Sequence, residues 1–166
     1  MKKLLIPFFV LVISLNISSQ NGRNGPSLWE EIRANSNLNY DNTKPQIIEA
    51  LKKYDSHQYL INRLSKNGQR YLFYTVSEAL KRDLPVELSL IPFIESQFDP
   101  YAQSSTGASG IWQFIPSTAI ENGLKKNWWY DARRDIVAST EAAYNFLVKL
   151  HQEHDDWLIA IAAYNA

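Results

Sequence analysis

The chain has 166 residues, of which 45% are hydrophobic, so it can build one domain around one modest core. Its 17 lysines and arginines balance 17 aspartates and glutamates, and this even charge gives no indication of a nucleic-acid partner or of strong attachment to an anionic surface. There is no cysteine, which excludes disulfides, thiolate zinc ligands, a cysteine nucleophile and a lipidated cysteine within this sequence.

The N-terminal segment has the three-part pattern of a secretory signal. Lys2 and Lys3 precede an apolar run from Leu4 to about Leu15, and small and polar residues follow it. An apolar run of this length is shorter than the ~20 residues that span a bilayer. We therefore expect residues 1–20 to be a cleaved signal peptide, with a retained N-terminal anchor as the alternative, and the protein to work in the periplasm or cell envelope.

After a linker at residues 21–44, apolar residues recur at helical spacing through most of the chain. Within that linker, Ser27 is a candidate N-cap of a short helix that ends near Ala34. Gly68 is expected to end one helix before the next begins. Because the sequence has no alternation of strands and helices and no internal repeat, we predict an all-α fold with little or no β structure. The other predicted helices lie at residues 45–54, 56–68, 69–80, 86–97, 116–123, 134–151 and 156–164.

One carboxylate, Glu95, stands in the otherwise apolar run "LSLIPFIESQF". At helical spacing Leu88, Ile91 and Phe98 share its face, so Glu95 is predicted to lie on a buried stripe. Burying a carboxylate is costly unless it is paired or protonated, and desolvation raises its pKa. A raised pKa suits a general acid, while the alternative is a structural ion pair.

Two further residues of the predicted helix at 86–97 have structural interpretations. Glu87 lies in its first turn, where a carboxylate interacts favourably with the helix dipole. Pro92 removes a hydrogen bond from a helix interior. It therefore predicts either a kink that presents Glu95 to a cleft or a helix boundary.

The segment "DPYAQSSTGASGIWQF" follows Glu95 closely. Asp99 is expected to end the helix, because a residue before proline avoids the α region. Gly107 and Gly110 permit left-handed dihedral angles or a close backbone approach. Four hydroxyl groups are available for hydrogen bonds, those of Ser104, Ser105, Thr106 and Ser109. Such a loop is either a plain turn or, beside a buried glutamate, part of a site for a polar substrate.

Metal and nucleotide chemistry find no support in the motifs. The three histidines, His57, His151 and His154, lack the HExxH spacing of a zinc protease. A GxSxG elbow, a P-loop and a dinucleotide fingerprint are also missing from the sequence. Neither a metal nor a cofactor is therefore expected.

A two-carboxylate glycosidase is an alternative reaction class. It would pair Glu95 with Asp99, Asp131 or Asp135. We expect instead that Asp99 closes the helix before it, and that Asp131 and Asp135 form ion pairs or cap the following helix.

Three segments together carry a specific resemblance: "LPVELSLIPFIESQFDPYAQSSTGASGIWQFIPSTA", "YDARRDIVASTEAAYNFL" and "DDWLIAIAAYNA". From about Asn67 onward, the chain resembles the catalytic domain of lytic transglycosylases of the soluble lytic transglycosylase type. The forms ELSLIPFIES and YDARRD are similar to those of its membrane-bound lytic murein members. The resemblance implies a goose-lysozyme-like α fold for residues 45–166, with catalytic motifs at 84–166. It also implies cleavage of the β-1,4 bond between N-acetylmuramic acid and N-acetylglucosamine in peptidoglycan.

The same resemblance assigns roles to individual residues. Glu95 matches the glutamate that protonates the glycosidic oxygen and then takes the proton of the muramoyl C6 hydroxyl, which leaves a 1,6-anhydro end. Tyr164 matches a tyrosine that hydrogen-bonds this glutamate, with Asn165 beside it. The residues that match sugar-binding positions of the cleft are Ser104, Gly110 and Gln113.

The tryptophans are additional candidates, because flat aromatic rings suit the faces of sugars. Trp112 stands next to a matched cleft residue, and we expect it to contact the substrate. Trp128 and Trp129, in "NWWYDARRD", are alternatives for the same role, and Trp157 is expected in the core.

The chain also differs from the membrane-bound members of the family. Its signal region has no cysteine for lipidation, and its residues include no peptidoglycan-binding repeats. It ends at "AAYNA", where the family continues through further helices, so we expect a C-terminally incomplete domain. Two alternatives stay open, a lysozyme-type hydrolase that uses water and a non-catalytic peptidoglycan-binding module. Peptidoglycan strands are the expected partner, and no nucleic acid is expected.

Overall fold

A computed structural model of the protein describes residues 28–38 and 58–165. Within these ranges the regular structure is helical, and isolated bridges such as that between Gln103 and Ser109 are its β contacts. The predicted all-α class is therefore confirmed. The helices are α1 (Leu28–Ala34), α2 (Gln58–Lys81), a 3-10 helix (Val86–Leu90), α3 (Ile91–Ser96), α4 (Pro116–Glu121), α5 (Ile136–His154) and α6 (Trp157–Tyr164).

Helix α2 runs without interruption through Gly68, so the two helices predicted at 56–68 and 69–80 are one. Gly68 does not end a helix but allows a close contact: a Cβ added there would lie 3.1 Å from Cδ2 of Phe98. The Phe98 side chain is 2% exposed and packs on α2 at this point. The prediction was wrong because a glycine at a helix end and a glycine at a close contact give the same local signal.

The prediction of one helix at residues 86–97 is also wrong, because the structure has two helices there. The 3-10 helix ends at Leu90 and α3 begins at Ile91. Pro92 lies in the first turn of α3, where the backbone N–H has no helical acceptor, so proline costs no hydrogen bond. Of the two interpretations of Pro92, the helix boundary is correct.

Glu87, at the start of the 3-10 helix, has a structural role through contacts other than the expected dipole. Its side chain is 0% exposed. Its Oε1 accepts hydrogen bonds from the Ser36 hydroxyl at 2.6 Å and from the N–H groups of Asn37 and Leu38, each at 3.0 Å. Glu87 thus ties the segment after α1 to the rest of the domain.

Aspartate side chains cap the starts of the last two helices. Asp135 and Asp156 each accept hydrogen bonds from two backbone N–H groups of the first turn, which satisfies donors that a helix start leaves free. The predicted starts at 134 and 156 lie within two residues of the observed starts at Ile136 and Trp157. Helix α6 packs against α5.

The core joins α2, the 3-10 helix, the loop after α3 and α5. Tyr144 is 0% exposed, and its hydroxyl donates a 2.7 Å hydrogen bond to the carbonyl oxygen of Thr75. The Thr75 hydroxyl lies 3.0 Å from the carbonyl oxygen of Leu72 and 3.3 Å from that of Ser89. Trp112, also 0% exposed, packs edge-to-face on Tyr144 with 5.3 Å between ring centroids. These buried polar groups have partners, as a stable core requires.

Some predictions fall outside the described residues. These are the signal peptide at 1–20, most of the linker at 21–44 and the helix at 45–54. The short helix expected to end near Ala34 is observed as α1. Within the described ranges, no helix is both long enough and apolar enough to cross a membrane.

Candidate active site

Glu95 lies in the last turn of α3 with its side chain partly buried. Among the described residues, no group donates a hydrogen bond to its carboxylate and no cation pairs with it. Burial alone raises the pKa of the Glu95 carboxyl, because a charge is less stable away from water. This carboxyl therefore holds its proton more readily than an ordinary glutamate, which a general acid requires.

The backbone just after Glu95 has an unusual conformation. Gln97 and Phe98 both have left-handed φ angles, 53° and 58°, which residues other than glycine rarely adopt. Ser96 fixes the same turn, because its hydroxyl donates a 2.9 Å hydrogen bond to the carbonyl oxygen of Ile111. Strain of this kind persists only where surrounding contacts impose it. Here those contacts fix the end of α3 that carries Glu95.

The loop after α3 is held by its own polar side chains. Ser104 Oγ accepts a hydrogen bond from the N–H of Ala108 at 3.0 Å and lies 2.9 Å from Oγ1 of Thr106. Gln113, with a left-handed φ of 52°, donates from Nε2 to the carbonyl oxygen of Gly110 at 2.8 Å. The three predicted cleft residues, Ser104, Gly110 and Gln113, therefore lie in one internally bonded loop.

Gly110 allows this loop to approach the backbone of the "YDARRD" segment. Its φ is +81°, and a Cβ added to it would lie 1.8 Å from the carbonyl oxygen of Arg133, so no other residue fits without a backbone shift. The Arg133 side chain is 5% exposed and donates to the carbonyl oxygens of Gly107 at 2.8 Å and Phe114 at 3.2 Å. Its Nη2 also lies 2.7 Å from Oδ2 of Asp131. The "YDARRD" segment thus holds the loop after α3 in place through the hydrogen bonds of Arg133, and is called its scaffold below.

The sequence pattern alone did not reveal the supporting role of Arg133. The available signal was a pair of arginines near a loop rich in small residues, because such a loop leaves carbonyl oxygens that need donors. A buried arginine can satisfy several of them at once. The observed pair with Asp131 confirms the ion-pair interpretation of that aspartate.

Each of the three aspartates considered as partners of Glu95 accepts hydrogen bonds from other groups. Asp99 accepts a 2.8 Å hydrogen bond from a backbone N–H in an exposed turn. Arg133 lowers the pKa of the Asp131 carboxyl through its hydrogen bonds, and backbone N–H groups of α5 lower that of Asp135. No set of three or more histidine, aspartate or glutamate side chains in the described part of the chain could hold a metal ion.

Tyr164, at the end of α6, lies close enough to Glu95 to feel its charge. Burial, and then the charge of Glu95, raise the pKa of the Tyr164 phenol. Its hydroxyl donates a 2.8 Å hydrogen bond to the carbonyl oxygen of Trp112. The expected hydrogen bond between Tyr164 and Glu95 is not observed among the described residues, and the hydroxyl proton goes to that carbonyl instead. Asn165 donates from Nδ2 to the carbonyl oxygen of Ile161 at 2.7 Å and closes α6.

The expected contact of Trp112 with a sugar is also wrong. Its ring is 0% exposed, and its Nε1 donates a 3.0 Å hydrogen bond to the hydroxyl of Thr140 in α5. A buried indole needs such an acceptor, and this one turns the ring away from solvent. Trp112 contributes to the site through its carbonyl oxygen, which accepts the hydrogen bond from Tyr164.

The other tryptophans divide between core and surface. Trp157 packs against the core, as predicted, with its ring stacked on His151 at 4.1 Å between centroids. Trp128 and Trp129 are 87% and 89% exposed. Their rings are therefore accessible to a ligand.

A family model identifies the group to which this arrangement belongs. The model of the transglycosylase SLT domain matches residues 75–166, which include Glu95, the bonded loop and its scaffold. The chain belongs to the transglycosylase SLT domain family. The resemblance noted in the sequence is thereby confirmed, and so is the lysozyme-like helical fold that it implied.

Three named proteins are similar to this chain in sequence. Membrane-bound lytic murein transglycosylase D of Escherichia coli (strain K12) is 43% identical over 122 residues, 73% of this chain and 27% of that protein. A putative tributyltin chloride resistance protein of Alteromonas sp. (strain M-1) is 47% identical over 102 residues, 61% of this chain and 49% of that protein. Membrane-bound lytic murein transglycosylase F of Desulfosudis oleivorans is 34% identical over 85 residues, 47% of this chain and 17% of that protein. The chain thus spans less than half the length of each relative.

Proposed function

We propose that this SLT-domain chain is a peptidoglycan lytic transglycosylase. It cleaves the β-1,4 bond between N-acetylmuramic acid and N-acetylglucosamine without water, with Glu95 as its single general acid and base. The observation that carries the proposal is the Glu95 carboxyl, which is partly buried, has a raised pKa and lacks a partner among the described residues. Two relatives, 43% and 34% identical, are named lytic murein transglycosylases.

The reaction needs one group that gives a proton and then takes one back. Protonated Glu95 donates to the glycosidic oxygen as the bond from that oxygen to C1 breaks, and N-acetylglucosamine leaves with the proton. The Glu95 carboxylate then accepts the proton of the muramoyl C6 hydroxyl while O6 forms a bond to C1. The substrate's acetamido oxygen stabilises the cationic C1 between these steps. The product carries a 1,6-anhydro end, and Glu95 is protonated again.

The bonded loop supplies the proposed contacts to the sugar. Oε1 of Gln113 has no hydrogen-bond partner among the described residues, because the internal bonds use Nε2. The Ser104 hydroxyl and the backbone of Gly110 lie in the same loop, and Asn165 lies beside Tyr164. Because Arg133 holds this loop from behind, the contacts are ordered before substrate binds, which lowers the entropic cost of binding.

A lysozyme-type hydrolase and a non-catalytic binding module are the competing functions. A two-carboxylate mechanism needs a second free carboxylate near the first. Asp131 and Asp135 are occupied by Arg133 and by the start of α5, and Asp99 closes an exposed turn by accepting the N–H of Tyr101. A module that only binds has no need of a carboxyl with a raised pKa. Both observations favour the single-glutamate reaction.

The proposal also assigns the protein to the cell envelope. Peptidoglycan lies there, and two relatives are named as membrane-bound. The signal pattern at residues 1–20 agrees with export to the periplasm.

Mass spectrometry of digested sacculi tests this function. The chain should release fragments that end in 1,6-anhydro-N-acetylmuramic acid, which are lighter by one water than hydrolysed fragments. Reducing muramic ends would instead show a hydrolase. Sacculi that are bound but never cut would show a binding module. The Glu95→Gln variant is the control for contaminating enzymes and should release neither product.

A further inference from the structure

A groove lies between the segment at residues 100–103 and the segment at 126–136. Its volume is about 670 Å³, and neither Glu95 nor Tyr164 lines it. This volume falls within the range of small-molecule sites. Its aromatic lining consists of Tyr71, Tyr101, Trp128, Trp129 and Tyr130. The lining of the groove therefore does not include the carboxyl group that is proposed to cut the substrate.

The two tryptophans of the groove are exposed by a defined turn. Trp128 and Trp129 are 87% and 89% exposed, and their rings stand at 87° with 6.4 Å between centroids. Asn127 fixes the turn, because its Oδ1 accepts hydrogen bonds from the N–H groups of Trp129 and Tyr130, each at 2.9 Å. Apolar rings held in the open by a bonded turn are typical of a binding surface. Rings at right angles present two flat faces to the apolar faces of sugars.

The charged groups of the groove balance one another. Lys126 and Arg134 line it together with Asp131 and Asp135. Arg134 donates from Nε to the hydroxyl of Ser109 at 3.1 Å and from Nη2 to Oε1 of Gln103 at 3.4 Å, and no carboxylate of the described residues forms an ion pair with it. Its guanidinium therefore has N–H groups left to donate. A groove of balanced charge suits a neutral polar ligand better than a nucleic acid or an acidic peptide.

We propose that this aromatic groove is a second glycan-binding site, which holds an uncut N-acetylated strand of peptidoglycan while Glu95 acts elsewhere. The inference rests on the proposed function, because it takes its ligand from the same polymer. Sugar rings stack on the two tryptophans and Tyr101, and the acetamido and hydroxyl groups bond to Arg134 and Gln103. Such a site keeps the enzyme on an insoluble substrate between cuts, because a second contact raises the effective concentration of the first.

The composition of the groove favours a glycan over a lipid surface. Tryptophan and tyrosine also occur at membrane interfaces, so a bilayer is the competing ligand. However, the carboxylates of Asp131 and Asp135 line the same groove, and removing them from water beside lipid is costly. Beside a sugar, polar hydroxyl groups replace the displaced water, so this cost is smaller.

Cosedimentation with purified sacculi tests the site. All variants carry Glu95→Gln, so that no strand is cut during the measurement. Trp128→Ala combined with Trp129→Ala should weaken binding about tenfold, since tryptophans in binding sites are often worth that much. Tyr101→Ala, which alters the other segment of the groove, should weaken binding in the same direction. Soluble N-acetylglucosamine hexamer should compete with sacculi for the parent but less for the double variant.

The matched control is Ile120→Ala, which truncates a side chain that is 75% exposed and does not line the groove. It should bind sacculi like the Glu95→Gln parent. Each variant must keep the parent's circular dichroism spectrum and Tm, so that lost binding is not lost folding. A double variant that folds and binds as tightly as the parent would show that the groove binds no glycan.

Two other results have distinct meanings. If the double variant loses binding to vesicles of phosphatidylethanolamine and phosphatidylglycerol but keeps its affinity for sacculi, the groove is a membrane contact and the proposal is wrong. If the unmodified chain yields no anhydro ends while groove-dependent binding persists, the proposed function fails and the second site stands. The two failures are separable because binding by the Glu95→Gln variant requires no turnover.

Discussion

Two glutamates eight positions apart, Glu87 and Glu95, occupy opposite environments. The Glu87 carboxylate is fully buried, and its Oε1 accepts three hydrogen bonds from residues 36–38. The Glu95 carboxylate is only partly buried and receives none from the described residues. The first carboxylate ties two segments of the fold together, and the second remains available to exchange a proton.

This difference teaches that burial alone does not mark a catalytic carboxylate. Glu87 is the more buried of the two, and its three donors offset part of the cost of removing it from water. Glu95 receives no hydrogen bond from the described residues, and burial raises the pKa of its carboxyl. Variants of each residue should therefore affect different properties of the protein.

The largest expected effect is on turnover in Glu95→Gln. Glutamine keeps the shape of the side chain but cannot donate or accept the transferred proton, so release of fragments from sacculi should fall by about 10²–10⁴-fold. The folded state should be retained, as measured by circular dichroism. Glu121→Gln, which alters an exposed glutamate of α4, is the control and should turn over at the parent rate. Comparable rates for both variants would remove Glu95 from the chemistry.

The next largest effect is on the stability of the loop beside Glu95. Gly110→Ala places a Cβ 1.8 Å from the carbonyl oxygen of Arg133 and should lower the free energy of unfolding by about 3 kcal/mol. Gly123→Ala is a matched control, because Gly123 also has a positive φ of 75° but a Cβ there meets nothing within 4 Å. That control should cost about 1 kcal/mol, the strain of the left-handed backbone alone. Equal losses in urea titrations would mean that the contact with Arg133 is unimportant.

Glu87→Gln should lower stability and leave turnover unchanged, the opposite of the result expected for Glu95→Gln. The amide weakens the three hydrogen bonds to residues 36–38 and places an NH₂ group where Oε2 has no partner among the described residues. The free energy of unfolding should fall by about 2 kcal/mol, while turnover per folded molecule stays at the parent value. Urea titration against Glu121→Gln measures the first quantity. An unchanged stability would contradict the structural role of Glu87.

The smallest effect concerns the pH dependence of stability. Because the folded pKa of Glu95 is raised, the folded state binds this proton more tightly than the unfolded state does. The contribution of Glu95 to the free energy of unfolding therefore falls as pH rises from the ordinary glutamate pKa through the raised one. The Glu95→Gln variant lacks this loss, so it should gain stability relative to the parent across that window and keep the gain above it. A relative gain by the parent with rising pH would mean that its pKa is lowered.

Periodicity predicted the parts of the fold that depend on local signals. Asp135 was a candidate cap for the helix predicted at 134–151, and its capping bonds are observed, because a side-chain cap is a local interaction. Gly68 misled because its reason lies in Phe98, thirty positions along the chain. Pro92 was compatible with either a kink or a helix boundary, so the sequence did not predict that α3 begins at Ile91.

The candidate site divides in the same way. Helical spacing predicted burial of Glu95, which is partly buried, although the single helix it assumed is two helices. The glycines and hydroxyls predicted a loop but not its internal bonds. Burial of the Trp112 ring and the bond from Tyr164 to its carbonyl oxygen depend on partners distant in sequence, so neighbouring residues could not reveal them. The same holds for Arg133, whose acceptors lie 19 and 26 positions away.

The central claim is that the protonated carboxyl of Glu95 begins the reaction. Its most direct test compares the pH profile of kcat/KM with an NMR titration of the Glu95 side chain in the same protein. The rate should fall with rising pH as the protonated fraction of Glu95 falls, with one shared midpoint above the ordinary glutamate pKa. A rate that rises while Glu95 loses its proton would contradict the claim.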